Sequence, residues 1–233
     1  MSDTKPSLDA LRVEIDEIDN QLHDLIMARS KIIERVRMAK EGERTKIRPA
    51  REAEILYRLS ERHQGVFPKQ SLFRMWREMI VGTLALEAPF AVAVQDVVGE
   101  DGYADLARDH FGSFSNLRRH ESAAAVIDMV NNDEVTVGVL PFPQPHSDNA
   151  WWRYLATDGD QRPMIMGRLP FFGRSNAQGA NLDALVISTV KPEPSSRDIS
   201  VYSLDIVGEI SLQRLRAEIE DQGFVAGVVL QWT

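Results

Sequence analysis

The sequence has no cysteine. That excludes disulfides, thiol nucleophiles and thiolate zinc sites, and it fits a reducing compartment. No window approaches the roughly 18 apolar residues of a membrane span. The opening residues MSDTKPSLDALRVEID lack the apolar stretch of a secretory signal. A soluble, cytoplasmic protein without a membrane partner is therefore expected. Its five histidines are scattered without metal-ligand spacing, so no metal is expected. GRLPFFGRS is flanked by glycines but has no phosphate-loop pattern. There is no tandem repeat and no low-complexity tract. A basic excess is missing too: the formal net charge is -8, which makes a poor general binder of nucleic acid.

What is present is an apolar content of 43% over 233 residues, enough to bury real cores in one large or two modest domains. The charge is unevenly spread. Residues 1–88 hold 16 Lys+Arg against 15 Asp+Glu, whereas residues 89–233 hold 11 against 20. The acidic half reads as a solvated surface; the basic residues of the first third leave room for a local anion site.

Residues 8–41 read as one long helix. Leu8, Leu11, Ile15, Ile18, Leu22 and Leu25 recur in steps of three and four, and the beat resumes at Ile32, Val36 and Ala39. This is a seam for packing against other helices. Gly42 and Pro49 punctuate the break that follows. AREAEILYRLSERH (50–63) reads as a second helix with Glu52, Ile55, Leu56 and Leu59 on one face. Residues 69–88 read as a third, with Leu72, Trp76, Met79, Thr83 and Leu86 on one stripe, closed by Pro89. The first helix spans roughly 50 Å at 1.5 Å per residue, far beyond its two short companions. Much of its seam must find another chain.

One beat of the seam falls on Arg29. An arginine at such a position costs free energy unless something anionic meets it. A salt bridge to Asp19 or Glu52 answers that need, as does snorkelling to the helix edge. Lys40 stands on nearly the same helix face, about 20° round and roughly 16 Å along the axis, and the pair is spaced to bracket a small dianion. Glu52 and Thr83 place polar atoms in the seams of the other two helices. Arg12 sits beside the same stripe but about 25 Å from Arg29. It reaches the same pocket only from an antiparallel second copy.

These stretches, LDALRVEIDEIDNQLHDLIMARSKIIERVRMAK, RPAREAEILYRL and WREMIVGTLALE, resemble the all-helical class of chorismate mutase over about residues 7–88. The resemblance implies an intertwined helical homodimer in which three helices per chain build two active sites. It implies that Arg29 and Arg51 hold the two carboxylates of chorismate and that Arg12 enters from the partner chain. Lys40 would donate to the ether oxygen, Glu52 would accept from the ring hydroxyl, and Thr83 and Glu87 would stand near the ligand. The reaction, chorismate to prephenate, is a sigmatropic rearrangement that needs no nucleophile, metal or cofactor. Clamping the carboxylates folds the enolpyruvyl arm over the ring, and donors at the ether oxygen meet the charge that grows there. Arginines suit the planar clamp and lysine the point charge. For the reading to hold, the cations must face a hollow and not bulk water or the chain's own acids.

Two positions depart from that pattern. Arg48 stands where an acidic residue is frequent, and its simplest placement is toward solvent. Glu87 stands where many members have glutamine. An ionised carboxylate there would repel the developing negative charge, so Glu87 is expected to work protonated, its pKa raised by burial and the nearby dianion. Its alternative is a solvent-facing position beyond the helix end. If it acts, activity falls as pH rises through neutrality and Glu87→Gln flattens the profile.

After Pro89 the texture changes to a small α/β domain. FAVAVQDVV, VTVGVLPF, RPMIMGRL, LDALVIST and ISVYSLDIV read as strands, as does the terminal FVAGVVLQW. DGYADLARDHFG and ESAAAVIDMVNN read as helices, and SLQRLRAEIEDQG as another, capped by Ser211 and stopped by Gly223. Trp151 and Trp152 read as packing residues. Three of these stretches, with VGVLPFPQP among them, resemble pieces of a prephenate dehydratase domain. Pro141 matches that family's valine-proline run. The Thr-Arg-Phe motif that carries dehydratase catalysis is missing, so the domain is expected to be degenerate and non-catalytic. The tail has a strand–helix–strand pattern like part of an ACT module, or like a plain α/β piece completing the sheet. It stops at what reads as a strand, so truncation at Thr233 stays open.

The expected organisation is thus a helical mutase domain over 1–89 and a dehydratase-like α/β domain over 90–233. The expected function is a cofactor-free chorismate mutase, with inhibition by phenylalanine or tyrosine left open. Its rivals are an isochorismate–pyruvate lyase, a bifunctional mutase–dehydratase, and a non-catalytic regulatory partner of an aromatic-pathway enzyme.

Overall fold

A computed structural model describes residues 7–39, 47–87, 89–99, 102–144, 150–155, 162–173, 181–202, 204, 206 and 208–227. The chain divides into two compact units, Met1–Thr45 with Thr83–Pro89 and Lys46–Gly82 with Phe90–Thr233. The division passes through the third helix, after Gly82.

The first unit is dominated by α1 (Leu8–Ala39), a helix of 32 residues with no buried residue. Its seam is laid bare: Leu8, Ile15, Ile18, Leu22, Leu25, Ile32 and Val36 are all between 45% and 73% exposed. The apolar beat read from the sequence forms the helix, and among the described residues none of it is buried.

The second unit is built on a five-stranded sheet. Its strands are β1 (Ala91–Gln95), β2 (Asn116–His120), β3 (Val137–Pro141), β4 (Met164–Leu169) and β5 (Ala184–Ser188), in spatial order β2-β1-β3-β5-β4. β1 pairs in parallel with β2 and β3, while β3 with β5 and β5 with β4 are antiparallel. The chain moves from β1 to β2 through α4 (Tyr103–Phe111), then back past β1 to β3 through α5 (Ala123–Asn131). Right-handed crossovers in opposite directions put those helices on opposite faces. Both faces being covered, β1 and β5 are buried at every residue and read as unbroken apolar runs.

On the α5 face, Ala91 and Ala93 of β1, Leu140 of β3 and Leu185 and Ile187 of β5 pack with Val126, Ile127 and Val130. Gly138 lies under this helix: a Cβ there would stand 2.8 Å from Val126 and 2.9 Å from Ile187, so only glycine lets the helix approach. Trp151, in a 3₁₀ turn (Trp151–Leu155), closes the same core and donates its indole N–H to the Pro141 carbonyl at 3.1 Å. The packing role read for this tryptophan is the one observed.

Outside α4 lie α2 (Pro49–Arg62) and the Lys69–Gly82 part of α3 (Lys69–Glu87). Pro49 begins α2, where its missing N–H costs nothing. α2 buries Ala50, Ala53 and Leu56, and α3 buries Phe73, Arg77, Ile80 and Val81. Phe171 and Phe172, just after β4, reach up to them. Phe172 stacks on Phe73 with centroids 4.3 Å apart, and Phe171 stacks on Tyr57 at 5.8 Å. The glycine-flanked GRLPFFGRS thus serves as an aromatic fastener.

Two strands expected after residue 198 are not found where described. Ile199, Val201 and Tyr202 are irregular and exposed, and residues 224–227 are irregular; the rest of the final stretch lies outside the described residues. α6 (Leu212–Asp221) does form, with the Ser211 hydroxyl accepting from the Arg214 N–H at 3.2 Å and Gly223 at φ +84°.

Candidate functional site

The residues expected to grip a dianion are distributed over both units. On α1, Arg29 is half-buried, on a helix that is otherwise almost wholly exposed, and burial holds its guanidinium below the usual arginine range. Arg12, five turns away on the same helix, is exposed and donates to Asp9 at 3.0 Å. No arginine side chain spans the roughly 25 Å between the two positions, so they do not share one small ligand within a chain. Lys40 lies outside the described residues, as does the side chain of Glu87, the last residue of α3. Thr83 is half-buried one turn earlier.

On α2, Arg51 is exposed and donates to Glu54 at 3.2 Å. Arg12 and Arg51 are thus paired with the chain's own acids on open surface, not turned into a hollow. Such exposed i,i+3 pairs are weak and give way readily to a doubly charged ligand. Arg48, before the first turn of α2, is exposed, which matches the solvent placement read for it.

Glu52 behaves differently. Its side chain is 13% exposed and accepts from Nη1 of Arg77, whose side chain is 6% exposed. Nε of the same guanidinium donates to the His110 carbonyl at 2.6 Å, and its carbon lies 5.9 Å from the Phe111 ring centre. One cation thus joins α2, α3 and α4. On either side of it on α3, Arg74 donates to Asp109, and Glu78 accepts from the backbone N–H of Ser113 at 2.9 Å and from its hydroxyl at 2.8 Å. The His110 ring stands edge-on to Phe111 at 4.7 Å. Its pKa is held well below 6.5, first by burial and then by the charge of Arg77, so the imidazole is neutral.

The sequence alone does not single out Arg77, because Leu72, Trp76, Met79 and Thr83 offer a competing stripe one residue away. Phe73, Arg77 and Ile80 have helical spacing too. A cation between two apolar residues at that spacing is the same signal that drew attention to Arg29. Gln95 Oε1 and His120 Nε2, at the register-matched ends of β1 and β2, are buried without a hydrogen-bond partner. Among the described residues no group of three or more His, Asp or Glu is placed to hold a metal ion, and no helix is long and apolar enough to cross a membrane.

Residues 11–88 match the family described as chorismate mutase type II. Proteins named bifunctional chorismate mutase/prephenate dehydratase from Stutzerimonas stutzeri and Pseudomonas aeruginosa are each 32% identical to this chain over 140 residues. That alignment takes in 58% of this chain and 38% of each relative. A protein of the same name from Aquifex aeolicus is 36% identical over 91 residues, 37% of this chain and 25% of its own length. The chain therefore spans about two fifths or less of the length of these relatives. No solved structure matches it.

Proposed function

We propose that the chain is a chorismate mutase, acting in aromatic amino-acid biosynthesis as a homodimer without a cofactor. The match of residues 11–88 to chorismate mutase type II carries this reading. The bare seam of α1 supports the dimer: a 32-residue helix with a continuous apolar stripe and no buried residue is built to be covered by a second copy.

In this reading Arg29 and Arg51 clamp the two carboxylates of chorismate, and Arg12 enters from the partner. The clamp holds the enolpyruvyl arm over the ring, where one carbon–carbon bond forms as the ether carbon–oxygen bond breaks. Lys40 and a protonated Glu87 donate to the ether oxygen as its charge grows. Glu52 accepts from the ring hydroxyl, and Thr83 lines the ligand. The half-buried Arg29 suits the task, because a desolvated guanidinium binds a carboxylate more strongly than a solvated one. Within one chain Arg12 and Arg51 pair with Asp9 and Glu54 on open surface, which counts against the clamp; the reading requires a second copy and the ligand to draw them off those acids.

The alignment with the bifunctional relatives runs to 140 residues, longer than the mutase match. It favours a dehydratase-like origin for the α/β part. The missing Thr-Arg-Phe run argues that this part does not catalyse dehydration.

One assay tests the whole reading: the purified 233-residue protein is mixed with chorismate and the products are followed. Prephenate should accumulate. Phenylpyruvate would make the protein bifunctional and pyruvate would make it a lyase. Unchanged chorismate would leave the regulatory-partner reading.

A further inference from the structure

We propose that Arg77 is a positioning residue for Glu52, tying the substrate-hydroxyl acceptor of the mutase site to the α/β part of the same chain. This rests on the mutase reading above. An acceptor for a ring hydroxyl must keep one carboxylate oxygen turned toward the ligand while something else holds the group. Arg77 supplies that hold. Its Nη1 takes Oε2 of Glu52, and its Nε is anchored on the His110 carbonyl. A guanidinium is planar, so fixing Nε on α4 fixes the direction in which Nη1 meets Glu52.

The setting makes that geometry rigid. Arg77 is 5% exposed and sits between Phe73 and Ile80, also buried. Arg74–Asp109 and Glu78–Ser113 tie the same face of α3 to α4 and the turn after it. A plain surface ion pair would tolerate exchange of either partner. Here a largely covered carboxylate is balanced by one buried cation whose second donor is committed to a backbone carbonyl. Lysine keeps the charge but concentrates its donors on one nitrogen, without the planar fork whose Nε and Nη1 meet the two acceptors.

The test compares wild type, Arg77→Lys, Arg77→Met, Glu52→Gln and the Arg77→Met/Glu52→Gln double variant. Each is assayed with chorismate and with the analogue in which hydrogen replaces the ring hydroxyl. Glu52 contacts a group present in both ground and transition states, so KM should rise about tenfold in Arg77→Met while kcat changes less than about threefold. Arg77→Lys should fall between, and the double variant should be no worse than the poorer single one. With the deoxy analogue the KM differences should vanish. Melting temperatures are read alongside; if Arg77→Met does not fold, Arg77→Lys carries the comparison. Arg77 variants with wild-type KM, or with the same penalty on both substrates, overturn the positioning role while leaving the mutase reading intact. A wild type inert toward chorismate removes both.

Discussion

At the residue scale, His110 offers a pH-dependent reading of the α3–α4 contact. Its imidazole is neutral because burial and the Arg77 charge both oppose protonation. In the unfolded chain the same ring takes up a proton near its ordinary value of 6.5. Below that pH the unfolded state binds a proton that the native state refuses, so stability is full above it and falls as pH drops. The slope from one such group is at most about 1.4 kcal/mol per pH unit. His110→Phe keeps the backbone carbonyl that Arg77 needs and removes the titrating ring. Urea midpoints measured from about pH 5 to 7.5 should decline less steeply toward acid in the variant than in the wild type. Parallel curves would show that the ring is not held neutral. The contrast between Arg29 and Arg77 shows how far single residues were legible. Both are cations at helically spaced apolar positions. Arg29 stood out because its seam is long and regular, whereas α3 carries two plausible stripes one residue apart and only the packing of α4 selects between them.

At the element scale, α1 lacks the packing that ordinarily supports a long helix. A helix gains most of its stability from packing an apolar face, and this one buries none of its residues within a single chain. Placing glutamate at both Ile18 and Leu22 sets charges in the middle of the stripe. Sedimentation should show the wild type as a dimer and the double variant as a monomer, with mutase activity lost along with the second chain. A wild type that sediments as a monomer with α1 fully helical would refute the covered seam. Helix boundaries were legible because Pro49 and Pro89 stand beside them, and β1, β3 and β5 because strands buried on both faces leave apolar runs. β2, written NLRRH, was not: it is a polar edge strand held by β1 alone, and the information lies in its neighbour. Ile199, Val201 and Tyr202 show the converse, strand-like composition without a ladder to join.

At the scale of the whole molecule, the sequence changes texture at Pro89, yet the second compact unit takes in Lys46–Gly82 as well as everything from Phe90 onward. The reason is physical. Phe73 stacks on Phe172, Tyr57 lies against Phe171 and Phe172, and Arg74, Arg77 and Glu78 find partners on α4 or just after it. Cutting the chain at residue 89 would strip those partners away together. Phe73 would lose cover worth about 1.5–3 kcal/mol. Arg77 would keep Glu52 but lose its second acceptor inside a site that had excluded water. For a fragment of this size each kcal/mol is about 4–8 °C in melting temperature. Residues 1–89 made alone should therefore unfold at least about 10 °C below the 233-residue chain, followed by circular dichroism at 222 nm, and should bind hydrophobic dyes that the longer chain excludes. Restoring residues 90–190, which add α4 and complete the sheet with β5 so that β4 and the Phe171–Phe172 pair after it are held in place, should recover most of the difference. A fragment 1–89 that melts cooperatively at the temperature of the 233-residue chain would mean that the α/β part is merely tethered, and that the contacts through Arg77 stabilise nothing.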